Sequence, residues 1–283
     1  MVEQKTIRLV KKQELMKKNL FCIMVVVVIF TSACKSADIN DIPKRITMET
    51  VKSVVQISLA GSGTVSIDWG DNSKIETHDL LSFVDIEDWN NHYFDKYGFS
   101  HHYSSTSSHT ITISSDNITH IDCYNNLLTT LNISNNPTLK FLVCYANQLT
   151  SLDVHNATNL TDLVCGYNNL ATIKIGGNTK LKTLACYRNQ LTNLDVSSNT
   201  ALEFINCKGN QLTYLDLSKN TVLNALSCQE NNFTTKALTA LLNTLHNNTI
   251  TGIDKMVSIG NNPGTNSFTN GTVINGWLID VYL

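Results

Sequence analysis

The chain has 283 residues, of which 42% are hydrophobic, which is enough for one sizeable core or two modest domains. Its formal net charge of −2 excludes the large basic field by which a protein recruits nucleic acid. Proline occurs only 3 times, and no long linker is indicated.

The first 33 residues have the organisation of an export signal. Two lysines precede an apolar run, Leu20 to Phe30, and small residues follow it. A positive region, an apolar stretch of about 7–15 residues and a small-residue site are typical of a secretory signal peptide. This run is too short to span the roughly 30 Å hydrocarbon core as a helix. Because Met16 opens the segment Met-Lys-Lys-Asn-Leu, we also expect translation to start there.

Cys34 follows this signal directly, in the sequence Thr31-Ser32-Ala33-Cys34. The segment resembles the lipobox of bacterial lipoproteins, in which the cysteine is acylated and becomes the new N-terminus. Thr31 stands where that family usually has an aliphatic residue. The resemblance implies a lipid on Cys34 and a lipidated linker over residues 34–45. An ordinary cleaved signal without a lipid is the alternative.

Removal of residues 1–33 would make the protein more acidic. That segment holds six Lys or Arg and two Asp or Glu, which leaves 15 basic and 21 acidic residues and a net charge of −6. We therefore expect the exported protein to bind neither nucleic acid nor an anionic membrane surface through charge.

Residues 46–115 show the alternation of apolar and polar side chains that is typical of β-strands. The segment from Ser66 to Ser73, with Tyr103 and the run His109 to Ile113 further on, resembles a PKD-like (polycystic-kidney-disease-type) β-sandwich. Asn72 stands where that family commonly has Gly, and both residues tolerate a positive φ. The resemblance implies a small β-sandwich-like domain with a long inserted loop.

Six cysteines recur every 21 residues, and their neighbours keep the same register. An apolar residue stands two before each cysteine, Asn stands three after it, and Leu or Phe stands five after it. The consensus L-x-C-x-x-N-x-L-x-x-L-D-V-S-x-N-x-x-L is the signature of a leucine-rich repeat. It predicts a mainly β solenoid of about six coils over residues 116–233, built on Cys123, Cys144, Cys165, Cys186, Cys207 and Cys228.

Stacking of the coils explains which residues recur. Equal positions of neighbouring coils lie roughly 4.7–4.9 Å apart, so an inward position must be apolar in every coil. We expect the cysteines to be reduced, packed thiols, since they suit a narrow inner column and no Cys-x-x-Cys or Cys/His spacing indicates zinc. The Asn column is expected to satisfy backbone groups at the turn. A second column, which lapses at Ala157, marks the opposite turn at Asn136, Asn178, Asn199 and Asn220.

The period breaks after Phe233, and residues 234–283 predict an α/β cap on the end of the solenoid. Thr234 or Thr235 can cap a helix whose leucines recur at i, i+3, i+4 and i+7 from Leu238 to Leu245. Two extended segments follow, separated by an Asn-Pro-Gly-Thr turn.

The lipobox, the repeats and this cap, with its Asn-Pro-Gly turn and Gly276-Trp277, together resemble the internalin-like leucine-rich repeat lipoproteins exported by Gram-negative gut-type bacteria. The resemblance implies a surface or outer-membrane binding protein.

Motifs that carry catalysis, such as G-x-S-x-G, H-E-x-x-H, a P-loop or G-x-G-x-x-G, do not occur in the sequence. His101 and His102 could form a metal site with Asp95, but a polar strand entry is the simpler interpretation. The acidic run Asp85 to Asp88 lacks a calcium-loop pattern and is more simply a solvated loop. The sequence therefore predicts no enzyme, no cofactor and no metal site.

Aromatic residues stand at outward positions of the repeat, one residue after or three before the cysteine. Large rings on a rigid sheet bury much area with few rotamers, which suits them to anchor a protein or a glycan. The alternative is that they only cover the sheet and favour strand structure. The candidate ligand-binding residues are Tyr124, Phe141, Tyr145, Tyr187 and Phe204.

We expect a non-enzymatic monomer, anchored to the outer membrane by its lipid and displayed at the cell surface. It would bind a protein or a glycan through its repeat face, in adhesion or in interaction with a host or partner. One alternative is a scaffold component of an outer-membrane assembly. Another is an accessory glycan-binding module of a glycan-utilisation system.

Overall fold

The computed structural model describes residues 44–82, 98–249 and 255–282. The signal peptide, Cys34 and the acidic loop with Asp95 lie outside these residues. The fold is mainly β, with one α-helix near the C-terminus of the described part, and forms a solenoid of about 7 turns with a spacing of 21 residues. This confirms the predicted fold class. No helix in the described ranges is long and apolar enough to cross a membrane.

In the described residues, the strands that precede the repeats are β1 (Arg45–Thr50), β2 (Val54–Gly61), β3 (Thr64–Asp68), β4 (Glu76–Asp79), β5 (Gly98–His102) and β6 (His109–Ser114). The pairs that they form with one another are antiparallel. Alternate side chains point inward, as the period of two predicts, and Met48, Ile57, Ile67 and Ile111 are fully buried.

The repeat strands are β7 (Ile118–Asp122), β8 (Leu128–Asn132), β9 (Phe141–Val143), β10 (Ser151–Asp153), β11 (Asp162–Val164), β12 (Thr172–Lys174), β13 (Thr183–Ala185), β14 (Phe204–Asn206) and β15 (Ala225–Ser227). One strand of each coil joins a parallel sheet in the order β7, β9, β11, β13, β14, β15. Partners in this sheet are 21 residues apart, so Leu142 lies between Ile121 and Leu163.

Both sheets of the N-terminal segment continue into the first coil. β2 pairs antiparallel with β7, which places Leu59 opposite Ile121. β1 pairs antiparallel with β8, which places Met48 opposite Leu131. The inward side chains of this segment and of the coils form one buried cluster. The segment therefore closes an end of the solenoid whose apolar core would otherwise be exposed.

The six cysteines form the inner column that the sequence predicts. Each is a buried, free thiol. Burial raises the pKa of all six thiols above the ordinary value, to about 12 for Cys186 and Cys228. The thiolate is the form that attacks electrophiles and binds metals, so this column packs the core rather than supplying chemistry.

The asparagine three residues after the cysteine satisfies backbone groups at the turn, as expected, and from Asn147 to Asn231 its hydrogen bonds also link neighbouring coils. The Nδ2 group of Asn189 donates to the carbonyls of Cys165 and Cys186 at 3.1 and 3.0 Å. Its Oδ1 accepts from the backbone N–H of Leu170 at 3.0 Å. The same kinds of contact recur at Asn147, Asn168, Asn210 and Asn231.

The C-terminal cap contains the predicted helix, α1 (Thr235–Thr244). The side chain of Thr234 accepts from the backbone N–H of Ala237 and begins the helix, which buries three leucines. The strands β16 (Lys255–Ser258), β17 (Val273–Ile274) and β18 (Trp277–Asp280) then extend the main sheet to 11 strands, in the order β17-β18-β16-β15-β14-β13-β11-β9-β7-β2-β5.

The cap also continues the repeat beyond the last cysteine. Asn262 donates through Nδ2 to the carbonyl of Cys228 at 3.0 Å, and its Oδ1 accepts from the N–H of Asn231 at 3.1 Å. Ile259, three residues before it, takes the place of the cysteine and is fully buried. The solenoid thus gains a seventh asparagine contact, with α1 inserted between the last two.

Candidate functional site

The outward side of the main sheet carries three rows of side chains, which we call the outer face. The first row stands three residues before each cysteine, the second row one before it, and the third row one after it. Strand alternation directs these positions away from the inward apolar column. In the cap, the strand register extends the rows to β16 and β18.

Three of the predicted residues lie together on β7, β9 and the turns after them. The rings of Tyr124 and Tyr145, in the third row, stack with centroids 5.4 Å apart and planes 3° apart. The rings of His120 and Phe141, in the first row, stack at 5.8 Å and 27°. Tyr124 is 47% exposed, while Tyr145 and Phe141 are half-buried.

Tyr187 lies in a second group. A Cβ atom on Gly166 would lie 2.7 Å from Cε1 of Tyr187, so the tyrosine ring covers the glycine. Burial raises the pKa of this tyrosine. The ring of Tyr167 meets it at 87° with centroids 5.4 Å apart.

Tyr167 is 54% exposed and was not predicted as a site residue. It stands two residues after the cysteine, at a turn position with φ 49°, and therefore outside the strand pattern. The sequence signal for it is the glycine at position 166 with an aromatic residue directly after it.

Phe204 is separate from both tyrosine groups. It is half-buried in the first row, between Thr183 and Ala225. The row continues from Ala225 to exposed apolar side chains of the cap, which the sequence did not assign to the sheet, at Met256, Leu278 and Val273. The predicted site residues therefore fall into three groups on one face.

The second row forms a low floor between the other two. Val143 and Ala185 are buried and Val164 is half-buried. The row begins with Asp122, whose Oδ1 accepts from the backbone N–H of Tyr124 at 3.1 Å. Burial raises the pKa of Asp122 to about 6. Sequence reasoning missed this row because its side chains are small or polar.

His101, on β5, contacts two residues of the turn that follows β3. Its ring stacks on Trp69 at 4.9 Å, and its Nε2 lies 2.7 Å from Oδ2 of Asp71. Hydrogen bonds from Ser73 and His101 hold the pKa of Asp71 well below its ordinary value. Among the described residues, no group of three or more His, Cys, Asp or Glu could hold a metal ion.

No protein-family model and no curated relative matches the sequence. Solved structures are similar over about half of the chain. The functional domain of InlJ from Listeria monocytogenes, which includes a cysteine ladder, is 24% identical over 57% of this chain and 39% of its own, with a TM-score of 0.41. A leucine-rich repeat protein of Leptospira interrogans is 26% identical over 46% of this chain and 33% of its own, with a TM-score of 0.38.

An internalin, InlF, from Listeria monocytogenes is 19% identical over 51% of this chain and 54% of its own, with a TM-score of 0.30. The chain spans well under two thirds of each of these proteins. With TM-scores this low, the leucine-rich repeat fold rests on the strand register and the asparagine contacts of this chain.

Proposed function

We propose that this chain is a non-enzymatic interaction module whose outer face binds a protein partner. The observation that carries the proposal is the grouping of aromatic rings on neighbouring coils. Each repeat strand there is hydrogen-bonded to a strand on either side, so the rings stand on a rigid support and lose little entropy on binding. The rings concerned are Tyr124, Phe141, Tyr145, Tyr167 and Tyr187.

The arrangement of the rings favours a protein over a glycan. A sugar stacks on the open face of a ring, but Tyr124 and Tyr145 each cover one face of the other. Tyr187 turns one face toward Gly166. The apolar stretch of the second row, at Val143, Val164 and Ala185, suits the buried centre of a protein interface, which is depleted in charge.

We also propose that the protein is a lipid-anchored adhesion or partner-binding protein of the outer membrane, displayed at the cell surface. The support is the export signal and the lipobox resemblance at Cys34. Metabolic labelling with a fatty acid tests the anchor. We expect label in the wild-type protein and none in a Cys34→Ser variant, and an unlabelled wild-type protein would contradict the anchor.

The outer face is tested by removing two of its rings. In a variant with Tyr145→Ala and Tyr187→Ala, we expect capture of a protein partner to fall at least about tenfold, because central aromatic anchors carry most interface energy. The control is Tyr214→Ala, which removes a 58% exposed ring outside the three rows. Capture is compared by quantitative affinity purification at a temperature where all variants are folded. Equal loss in the control would contradict the proposal.

A further inference from the structure

Two ring pairs flank one carboxyl group at the start of the outer face. Tyr124 and Tyr145 stack in the third row, and His120 and Phe141 stack in the first row. Asp122 lies between these pairs, because alternation along β7 places its side chain on the same side of the sheet as residues 120 and 124. We call this arrangement the Asp122 cleft.

Among the described residues, the floor of the Asp122 cleft supplies no counter-charge to the carboxyl group. Its neighbours in the second row are Ser58 on β2 and Val143 on β9. The backbone N–H of Tyr124 donates a hydrogen bond to Oδ1 of Asp122 at 3.1 Å. In the described ranges, Asp122 takes part in no ion pair. Burial of the carboxylate without a cation is unfavourable, and it raises the pKa of this group to about 6.

We propose that the Asp122 cleft binds the guanidinium group of an arginine side chain on the protein partner. This deepens the proposed function and rests on it. A planar cation is attracted by the rings of Tyr124, Tyr145 and Phe141 on the two sides and forms charge-assisted hydrogen bonds to the carboxylate between them. Guanidinium is also more weakly hydrated than ammonium, which favours it in a partly buried cleft.

A second carboxyl group on the outer face provides a matched control. Asp162 is half-buried in the first row, two coils along from His120. Its Oδ2 accepts from the hydroxyl of Thr161 at 2.7 Å, and its neighbours in the row are Phe141 and Thr183. Asp162 therefore stands beside one ring, that of Phe141, and not between two stacked ring pairs as Asp122 does.

The test is a nuclear magnetic resonance titration of the full-length protein with N-acetyl-arginine amide. We expect the ring signals of Tyr124 and Tyr145 to shift on binding. N-acetyl-citrulline amide has nearly the same shape without the charge, and we expect it to bind at least about tenfold more weakly. Asp122→Asn should weaken arginine-amide binding by a similar factor, whereas Asp162→Asn should leave it unchanged.

Urea denaturation shows whether the Asp122→Asn variant folds. Because burial raises the pKa of Asp122 from 3.8 to about 6, the folded state binds a proton that the unfolded state has released, and it loses stability as the pH rises through 6. The variant lacks this loss, so we expect its denaturation midpoint to exceed that of the wild type at pH 7.5 and not at pH 4. The other titratable residues near Asp122 are His120 on β7 and Lys140 beside β9. Both are present in the wild type and in the variant, so the two proteins differ only at position 122.

Either of two results would contradict an arginine site in the Asp122 cleft. One is that citrulline amide binds as tightly as arginine amide, and the other is that Asp122→Asn binds arginine amide as tightly as the wild type does. Binding of glucosamine in place of arginine amide would also overturn it, since the cleft would then hold a sugar cation. A failure of this proposal is distinguishable from a failure of the proposed function. If the variant with Tyr145→Ala and Tyr187→Ala loses its partner while arginine amide does not bind the wild type, the outer face is retained as the binding surface and the arginine site is contradicted.

Discussion

Two columns of asparagine run through the solenoid, and their side chains are satisfied to different extents. In the first column, Asn189 donates to three carbonyls and accepts once. In the second, Asn199 donates to the carbonyls of Ile175 and Asn178, both at 2.9 Å, while its buried Oδ1 has no hydrogen-bond partner in the described structure. Burying an acceptor without a hydrogen-bond partner costs free energy, so each asparagine of the second column contributes less to the stability of the fold than one of the first column. Ala157 replaces the asparagine in one coil, and that coil still forms.

A pair of substitutions measures this difference. Asn189→Ala removes four hydrogen bonds and orphans a buried N–H, so we expect the free energy of unfolding to fall by about 3 kcal/mol. Asn199→Ala removes two donated bonds together with the unpaired oxygen, and we expect a loss of about 1 kcal/mol. Equilibrium urea denaturation of both variants gives the comparison. A larger loss for Asn199→Ala would show that the second column is the stronger link.

At the scale of elements, the strands of the repeat could be predicted because every coil places the same residue types at the same offsets. The cysteine at one position, the apolar residue two before it and the asparagine three after it fix which side of each strand faces the core. The helix α1 could be predicted in the same way, from its leucine spacing and its threonine cap. In the repeat strands and in α1, the residues that the local spacing marks as inward are the ones that are buried in the fold.

The pairing of the N-terminal strands could not be predicted from the sequence. A period of two shows which side chains of β1 and β2 are buried, but it does not show which strands lie beside them. Their pairing with β8 and β7 is a long-range contact. The seventh asparagine contact was missed for a related reason, since Ile259 replaces the cysteine and α1 interrupts the spacing.

The candidate site was predicted in part. Tyr124, Phe141 and Tyr145 lie together as the offsets indicate. The position of the Tyr187 ring depends on the missing side chain of Gly166, which no offset of Tyr187 itself reveals. The predicted set also omitted Asp122, because a lone acidic residue in a repeat has no pattern of its own.

At the scale of the whole described unit, one core runs from the N-terminal strands through the coils to the cap. β1 and β2 close one end, and α1 with β16, β17 and β18 closes the other. A solenoid needs both ends covered to be soluble and cooperative. Side chains of the outer face vary from coil to coil while the inward residues stay apolar, and this is the surface that we propose for the partner.

Site-specific photo-crosslinking tests this account most directly. A photoreactive residue is placed at Thr183, which is half-buried on the outer face, and separately at Thr172, which is exposed on β12 in the smaller sheet. The proteins are irradiated on intact cells, and the crosslinked species are identified by mass spectrometry. We predict that position 183 crosslinks to one defined protein and that position 172 does not. Equal crosslinking from both positions, or crosslinking from position 172 alone, would contradict the assignment of the outer face as the binding surface.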